Sequence, residues 1–225
     1  MSAPPRIVSL VPSMTETLVA WGLPPVACTR FCEQPDLVHV GGTKDPDLGA
    51  IADLGPDLVI VDTEENRLED HAALVDAGQT VHVLSIRSFD DVDQQLGSLA
   101  PTIGATWVPL ERSDPVATRL TAFVPIWRRP WMALGAPTYG TSVLELLGIV
   151  NVFADAGSYP EIDLDEAVAR RADRVVAPDE PYPFGERHRR ELETVAPVVF
   201  VDGRDLLWWG ERTRSAIPRL AAKLG

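Results

Sequence analysis

Ile7-Val-Ser-Leu-Val-Pro-Ser-Met-Thr-Glu16 decides how the rest of the chain is read. The apolar run 7–11 reads as a buried strand, and Pro12 stops it. Ser13 and Glu16 then fit the capping box Ser-x-x-Glu, which predicts a helix over 14–21. Gly22 follows, where a left-handed cap is expected. A strand running straight into a helix N-terminus is half of a parallel βαβ unit. Its free backbone N–H groups suit a polar or anionic ligand, which makes Ser13 and Glu16 candidate contacts. The simpler reading leaves both residues as helix caps only.

The chain has 225 residues, enough for one large domain or two small lobes. Its 45% hydrophobic and 24% charged content is that of a globular protein. A net charge of −13 argues against nucleic acid and anionic membrane surfaces as partners. No apolar run approaches the ~20 residues of a membrane span, so stable membrane insertion is not expected. Met-Ser-Ala-Pro-Pro carries neither a basic segment nor an apolar stretch, so a cytoplasmic location is expected. A chain trimmed of a leader would look the same and be extracytoplasmic. Cys28 and Cys32 have a spacing that is neither a redox nor a zinc-ribbon pattern, so reduced thiols and no metal site are expected.

Working outward, apolar runs alternate with amphipathic stretches in two blocks. The first has expected strands at 7–11, 26–28, 58–62 and 81–84, a short one near Val38, and helices at 14–21, 48–54, 69–77 and 89–99. The second has strands at 122–127, 131–134, 174–177 and 198–201, and helices at 143–147, 164–171, 186–194 and 212–224. Such alternation predicts an α/β fold with mostly parallel sheets. The blocks echo each other. Asp47 precedes Asp57 by ten residues (57 − 47), and Asp163 precedes Asp173 by ten (173 − 163). Glu64 and Glu180 each follow seven later (64 − 57; 180 − 173). Ser142-Val-Leu-Glu145 followed by Gly148 repeats the capping-box logic. Two Rossmann-like lobes are therefore expected, 1–88 and 122–225, with a ligand cleft between them. The linker 89–121 holds Pro101, Pro109 and Pro115, so its helix is expected to be short or broken, with at most one or two turns around 116–120.

In open α/β sheets the ligand lies beyond the carboxyl ends of the strands. The loops there carry Arg30, Phe31, Thr43, Lys44, Glu64, Trp127, Arg128, Trp131, Tyr139, Tyr182, Phe184, Trp208 and Trp209. Rings and arginines in that density suit a large, flat, partly apolar ligand. The alternative is that several of these rings pack within the protein. Gly-x-Ser-x-Gly, Walker and Gly-x-Gly-x-x-Gly patterns are absent, so no catalytic residue is assigned. His71 and His188 fall in expected helices and are read as exposed; Glu64 and Glu65 are read as a solvated loop end.

Arg6-Ile-Val-Ser-Leu-Val-Pro-Ser-Met-Thr-Glu16, Gly55-Pro-Asp-Leu-Val-Ile60 and Trp127-Arg-Arg-Pro-Trp131 resemble the helical-backbone metal-receptor group of substrate-binding proteins. Asp179-Glu-Pro-Tyr-Pro-Phe184 and Val201-Asp-Gly-Arg-Asp205 extend the resemblance. It implies a non-enzymatic protein holding cobalamin or another corrinoid between two lobes, with no covalent cofactor. Haem, an iron–siderophore complex, an enzyme on the same scaffold using Glu16 or Glu64, and a protein-binding role are the alternatives. The resemblance also implies one exposed acid per lobe for docking on an importer. Here those positions are Gly49 and Asp165, so importer docking is not expected.

Overall fold

Strand β1, Ile7–Ser9, is the centre of a five-stranded sheet. Its neighbours are β2 (Ala27–Cys28) and β4 (Leu58–Asp62), and beyond them lie β3 (Val38–His39) and β5 (Val81–Leu84). The order is β3-β2-β1-β4-β5 and every pairing is parallel. The computed structural model describes residues 3–111 and 117–225. The chain runs from β1 to one edge and then returns to fill the other, which leaves a switch point between β1 and β4. Val8, Leu10, Ala27, Val40, Ile51, Val59, Val61 and Leu74 form the core around this sheet.

Helix α1, Pro12–Ala20, starts two residues earlier than a Ser13 cap requires. Val11 is the N-cap and makes no side-chain bond; Pro12 opens the helix, where its missing N–H costs nothing. Ser13 is buried inside the first turn, and the capping-box reading is corrected. The end is as expected: Gly22 has φ 73, Gly22 N–H donates to Val19 O at 3.0 Å, and Leu23 N–H donates to Leu18 O at 2.9 Å. The unit continues with α2 (Leu48–Leu54), capped by Asp47 Oδ1 on Ala50 N–H at 2.9 Å, then α3 (Leu68–Asp76) and α4 (Phe89–Thr102). Pro101 lies in the last turn of α4, where it removes the one N–H bond to Gly97 O but has no later turn to break, and the helix runs past the expected stop at residue 99.

The second block holds a four-stranded parallel sheet of order β12-β11-β6-β9. These strands are β6 (Leu120–Phe123), β9 (Ile149–Asn151), β11 (Arg174–Pro178) and β12 (Val198–Val201). The expected strand 122–127 is in fact two: β6 ends, and β7 (Pro125–Arg128) forms an antiparallel sheet with β8 (Trp131–Ala133) and β10 (Glu161–Ile162). Helix α5, Tyr139–Leu146, is capped by Thr138, whose side chain accepts from Thr141 N–H. Ser142 is therefore inside the helix, its Oγ accepting from Phe89 N–H at 2.9 Å, and the second capping box is also corrected. Next come α6 (Leu164–Ala169), a 3-10 turn Glu186–His188 continued by α7 (Arg189–Leu192), α8 (Gly203–Leu207) and α9 (Thr213–Leu224). Of the turns expected around 116–120, Val116 lies outside the described residues, 117–119 has no regular structure, and Leu120 begins β6.

The chain divides into two compact units. One comprises Met1–Ile86, Asp90–Pro109 and Trp209–Arg212; the other comprises Arg87–Phe89, Leu110–Trp208 and Thr213–Gly225. Helix α4 thus belongs almost wholly to the first unit, as does the short segment after Trp208. Among the described residues no helix is long and apolar enough to cross a membrane.

Candidate functional site

At the first unit's switch point, β4 ends at buried Asp62. Its Oδ1 accepts Glu64 N–H at 2.8 Å and its Oδ2 accepts Ile86 N–H at 3.3 Å. Asn66 closes the turn. Its Oδ1 accepts Asp62 N–H at 2.9 Å, while Nδ2 donates to Leu10 O at 3.1 Å and to Thr43 O at 3.0 Å. One amide thus ties the ends of β1 and β4 to the loop after β3. Lys44 Nζ donates to Glu64 O at 2.7 Å. Burial pushes the Asp62 carboxyl up to about 6. Glu65 is pushed up to about 7, first by burial and then by the Asp62 charge, against the pull of Lys44. The solvated reading of Glu65 is corrected by its half-buried position beside Asp62.

On the same edge, Arg30 Nη2 contacts both Asp45 oxygens at 2.9 and 3.0 Å, and its guanidinium lies 4.9 Å from the Phe31 ring centroid. Phe31 is 50% and Leu68 is 79% exposed, so two apolar side chains stand in solvent at this end of the sheet. Glu16 is occupied: Arg212 Nε and Nη2 contact its carboxylate at 2.8 and 2.5 Å. That bidentate pair is a packing contact inside the first unit, as is the Trp21 indole N–H on Glu211 Oε1 at 2.9 Å.

The second unit's switch point lies between β6 and β11. The chain leaving β6 becomes the β7–β8 hairpin, and the chain leaving β11 carries Tyr182 and Phe184. These two loops bring four rings together. Trp131 stacks on Phe184 at 5.9 Å and 7°, Trp127 meets Tyr182 edge-on at 5.6 Å and 76°, and Tyr182 lies 4.7 Å from Phe184. Each such pair contributes about 0.5–1.5 kcal/mol beyond area burial. Arg128 Nε donates to Glu191 Oε2 at 2.9 Å, which holds its guanidinium 6.0 Å from the Trp131 ring centroid.

His188, read as exposed, is buried behind these rings, 5.5 Å from both Tyr182 and Phe184. Its Nδ1 accepts Gly185 N–H at 3.2 Å, and its Nε2 accepts Arg187 Nε–H at 3.3 Å and lies 3.5 Å from Tyr182 Oη. Burial holds its pKa below the usual histidine value, with Arg187 and Arg128 adding to the effect.

The remaining candidates are placed elsewhere. Tyr139 is in the core at the start of α5, its hydroxyl 2.7 Å from Thr213 Oγ1. Trp208 is half-buried at the end of α8, and Trp209 is buried in the first unit. Ser13 is buried in α1, and Thr43 is nearly so, its carbonyl held by Asn66. Asp62, Asn66, Asp45, Leu68 and Glu191 were not singled out from the sequence, and His188 was named there only as an exposed helix residue. Asn66 four residues after a strand-ending Asp62 was the available signal, since Asp and Asn favour turns that their side chains close. Among the described residues no group of three or more His, Cys, Asp or Glu is placed to hold a metal ion.

No protein-family model matches the chain. The vitamin B12-binding protein of Salmonella choleraesuis is 23% identical over 192 residues, 77% of this chain and 72% of that protein. The periplasmic vitamin B12 binding protein of Vibrio cholerae superposes with a TM-score of 0.77 at 20% identity, covering 98% of this chain and 97% of that one. The chain has the fold of the periplasmic substrate-binding proteins. A periplasmic haem binding protein of Pseudomonas aeruginosa fits this substrate-binding fold equally, with a TM-score of 0.77 at 20% identity over 98% of this chain and 92% of the other. The resemblance read in the sequence therefore stands at the level of the substrate-binding-protein fold. These solved relatives are periplasmic, which gives the expected cytoplasmic location no support.

Proposed function

We propose that the chain is a non-enzymatic binding protein for a corrinoid or a similar flat metal chelate. The observation that supports it most is the group Trp127, Trp131, Tyr182 and Phe184 at the second unit's switch point, where an open α/β sheet presents its ligand. A corrin ring has an apolar face for stacking and polar side arms for charged partners. Arg128, in the same unit as the rings, is the partner assigned to those arms. A corrinoid also brings its own axial ligands to cobalt. The group fits this requirement, because its histidine, His188, is buried with both ring nitrogens facing polar neighbours. The similarity to B12-binding relatives points the same way.

Haem is the second reading, favoured by the equal likeness to a haem-binding fold and by the half-buried Tyr182 phenol, an oxygen ligand suited to ferric iron. Calorimetric titration with cyanocobalamin and, separately, with haemin tests both. Saturable one-to-one heat with cyanocobalamin, weakened in Trp131→Ala, is the expected result. Saturation by haemin alone would replace the corrinoid with haem, and saturation by neither would overturn the proposal.

A further inference from the structure

The β7–β8 hairpin turns through Arg129 and Pro130. Its last cross-strand pair is Arg128 with Trp131, and both are held: Arg128 by Glu191 of α7, Trp131 by the Phe184 stack. The turn is therefore anchored at both stems. Arg129 has φ +123, a backbone conformation that glycine adopts readily and that residues with a Cβ rarely adopt. Its side chain is exposed, and among the described residues it has no hydrogen-bond, ion-pair or ring partner. Packing thus gives no reason for a long cation, and not glycine, at a strained position in solvent. Strain of this kind gathers where a site uses the residue that bears it.

The surroundings say what such a cation would meet. Trp127, two residues before it, is exposed, and Trp131, two residues after it, is half-buried, so flat apolar surface flanks the turn on both sides. Arg128 and Arg187 are carried by the same loops as the rings, in a chain whose net charge is −13. Arg128 spends its Nε on Glu191 at 2.9 Å, and Arg187 spends its Nε on His188 at 3.3 Å. Arg129 keeps its whole planar fork, which matches two oxygens of a phosphate or a carboxylate at once. We propose that Arg129 is a specificity-determining residue of the ring site. Its guanidinium holds an anionic arm of the ligand while the rings take the flat face. The phosphodiester of a cobalamin and the carboxylate of a haem side chain share that chemistry. The proposal rests on the function given above for the rings, and adds that the charge of one arm selects the occupant.

The test is calorimetric titration of the full chain and of Arg129→Gln with two pairs of ligands. Cyanocobalamin is set against dicyanocobinamide, which lacks the phosphodiester, and haemin against its dimethyl ester, which lacks both carboxylates. In the natural chain the charged member of the pair that binds should be tighter by about tenfold. In Arg129→Gln that preference should fall to near unity, with the uncharged member bound as before. A loss seen in the cobalamin pair assigns the phosphodiester, and one seen in the haemin pair assigns the carboxylate. A preference that survives Arg129→Gln, or equal weakening of both members, would overturn this proposal and leave the ring site standing. Binding of none of the four would remove the function given above, and this proposal with it. Arg129→Gly supplies a readout that needs no ligand. Freed of a Cβ at φ +123, it should unfold in urea no earlier than the natural chain while losing the same preference. Earlier unfolding would make the arginine a structural residue and sink the proposal.

Discussion

Glu65 carries a charge that its surroundings oppose. Its folded pKa of about 7 lies above its ordinary value of 4.5, mainly through burial and then through Asp62. An acid whose pKa is raised by folding holds its proton more tightly in the folded state. Its contribution is therefore fully present below pH 4.5 and is lost as pH rises through about 7. Glu65→Gln should remove that loss, raising stability at pH 8 by roughly 1–3 kcal/mol while changing little at pH 4. Urea unfolding at both pH values checks this, and equal gains at the two would show that titration is not the cause. Trp131→Ala should cost about 1–2 kcal/mol of stability through the lost Phe184 stack, read in the same assay. These residues were not equally visible in the sequence. Trp127, Trp131, Tyr182 and Phe184 were legible because each lies just beyond an apolar run. Asp62 and Asn66 were not, because a polar residue ending a strand has no periodicity. Their meaning comes from strand order, which puts β1 beside β4 across nearly fifty intervening residues (58 − 9 = 49).

Helix ends decide how the elements meet. Thr138 caps α5 and also bonds Gly135 O at 2.6 Å, so Thr138→Ala should lower stability by about 1–2 kcal/mol in thermal unfolding. No measurable loss would return the cap to Ser142. Gly210 is more restrictive. Its φ is +104, and a Cβ there would lie 2.1 Å from Thr17 Oγ1. Gly210→Ala should cost more than 2 kcal/mol, and adding Thr17→Ala should recover part but not all of it, since the backbone strain remains. Full additivity in denaturant unfolding would show that the two sites do not meet. The sequence placed 48–54, 58–62, 81–84 and 198–201 to the residue, because Asp47, Gly55 and strong β-branched runs bound them. It missed β9, β10 and α8, of 3, 2 and 5 residues, since elements that short carry less than two periods of any pattern. It also fused β6 with β7, because an apolar run does not show that Val124 leaves one sheet for another.

For the whole molecule, the open matter is whether it serves an importer. The structure supports the sequence equivalence on which that depends. Asp47, Leu48 and Gly49 are the N-cap and first two residues of α2, and Asp163, Leu164 and Asp165 occupy the same places on α6. Gly49 and Asp165 are both exposed. By the resemblance, docking needs an acid at each position, each facing an arginine pocket. Asp165 supplies one; Gly49 has no side chain, and an arginine left without its acid loses both attraction and register. The net charge of −13 speeds encounter with a basic surface without fixing orientation. We therefore expect no stable capture of this protein by importer membrane subunits in a pull-down. The site itself tolerates an acid: a Cβ on Gly49 would meet only Asp47 Oδ1, at 3.5 Å. Gly49→Glu should accordingly raise stability by about 0.5–1 kcal/mol, from helix propensity and the favourable helix N-terminus. If that variant is captured and the natural chain is not, the missing acid is the reason. Capture of the natural chain, with cell fractionation placing it outside the cytoplasmic membrane, would restore the ordinary importer role.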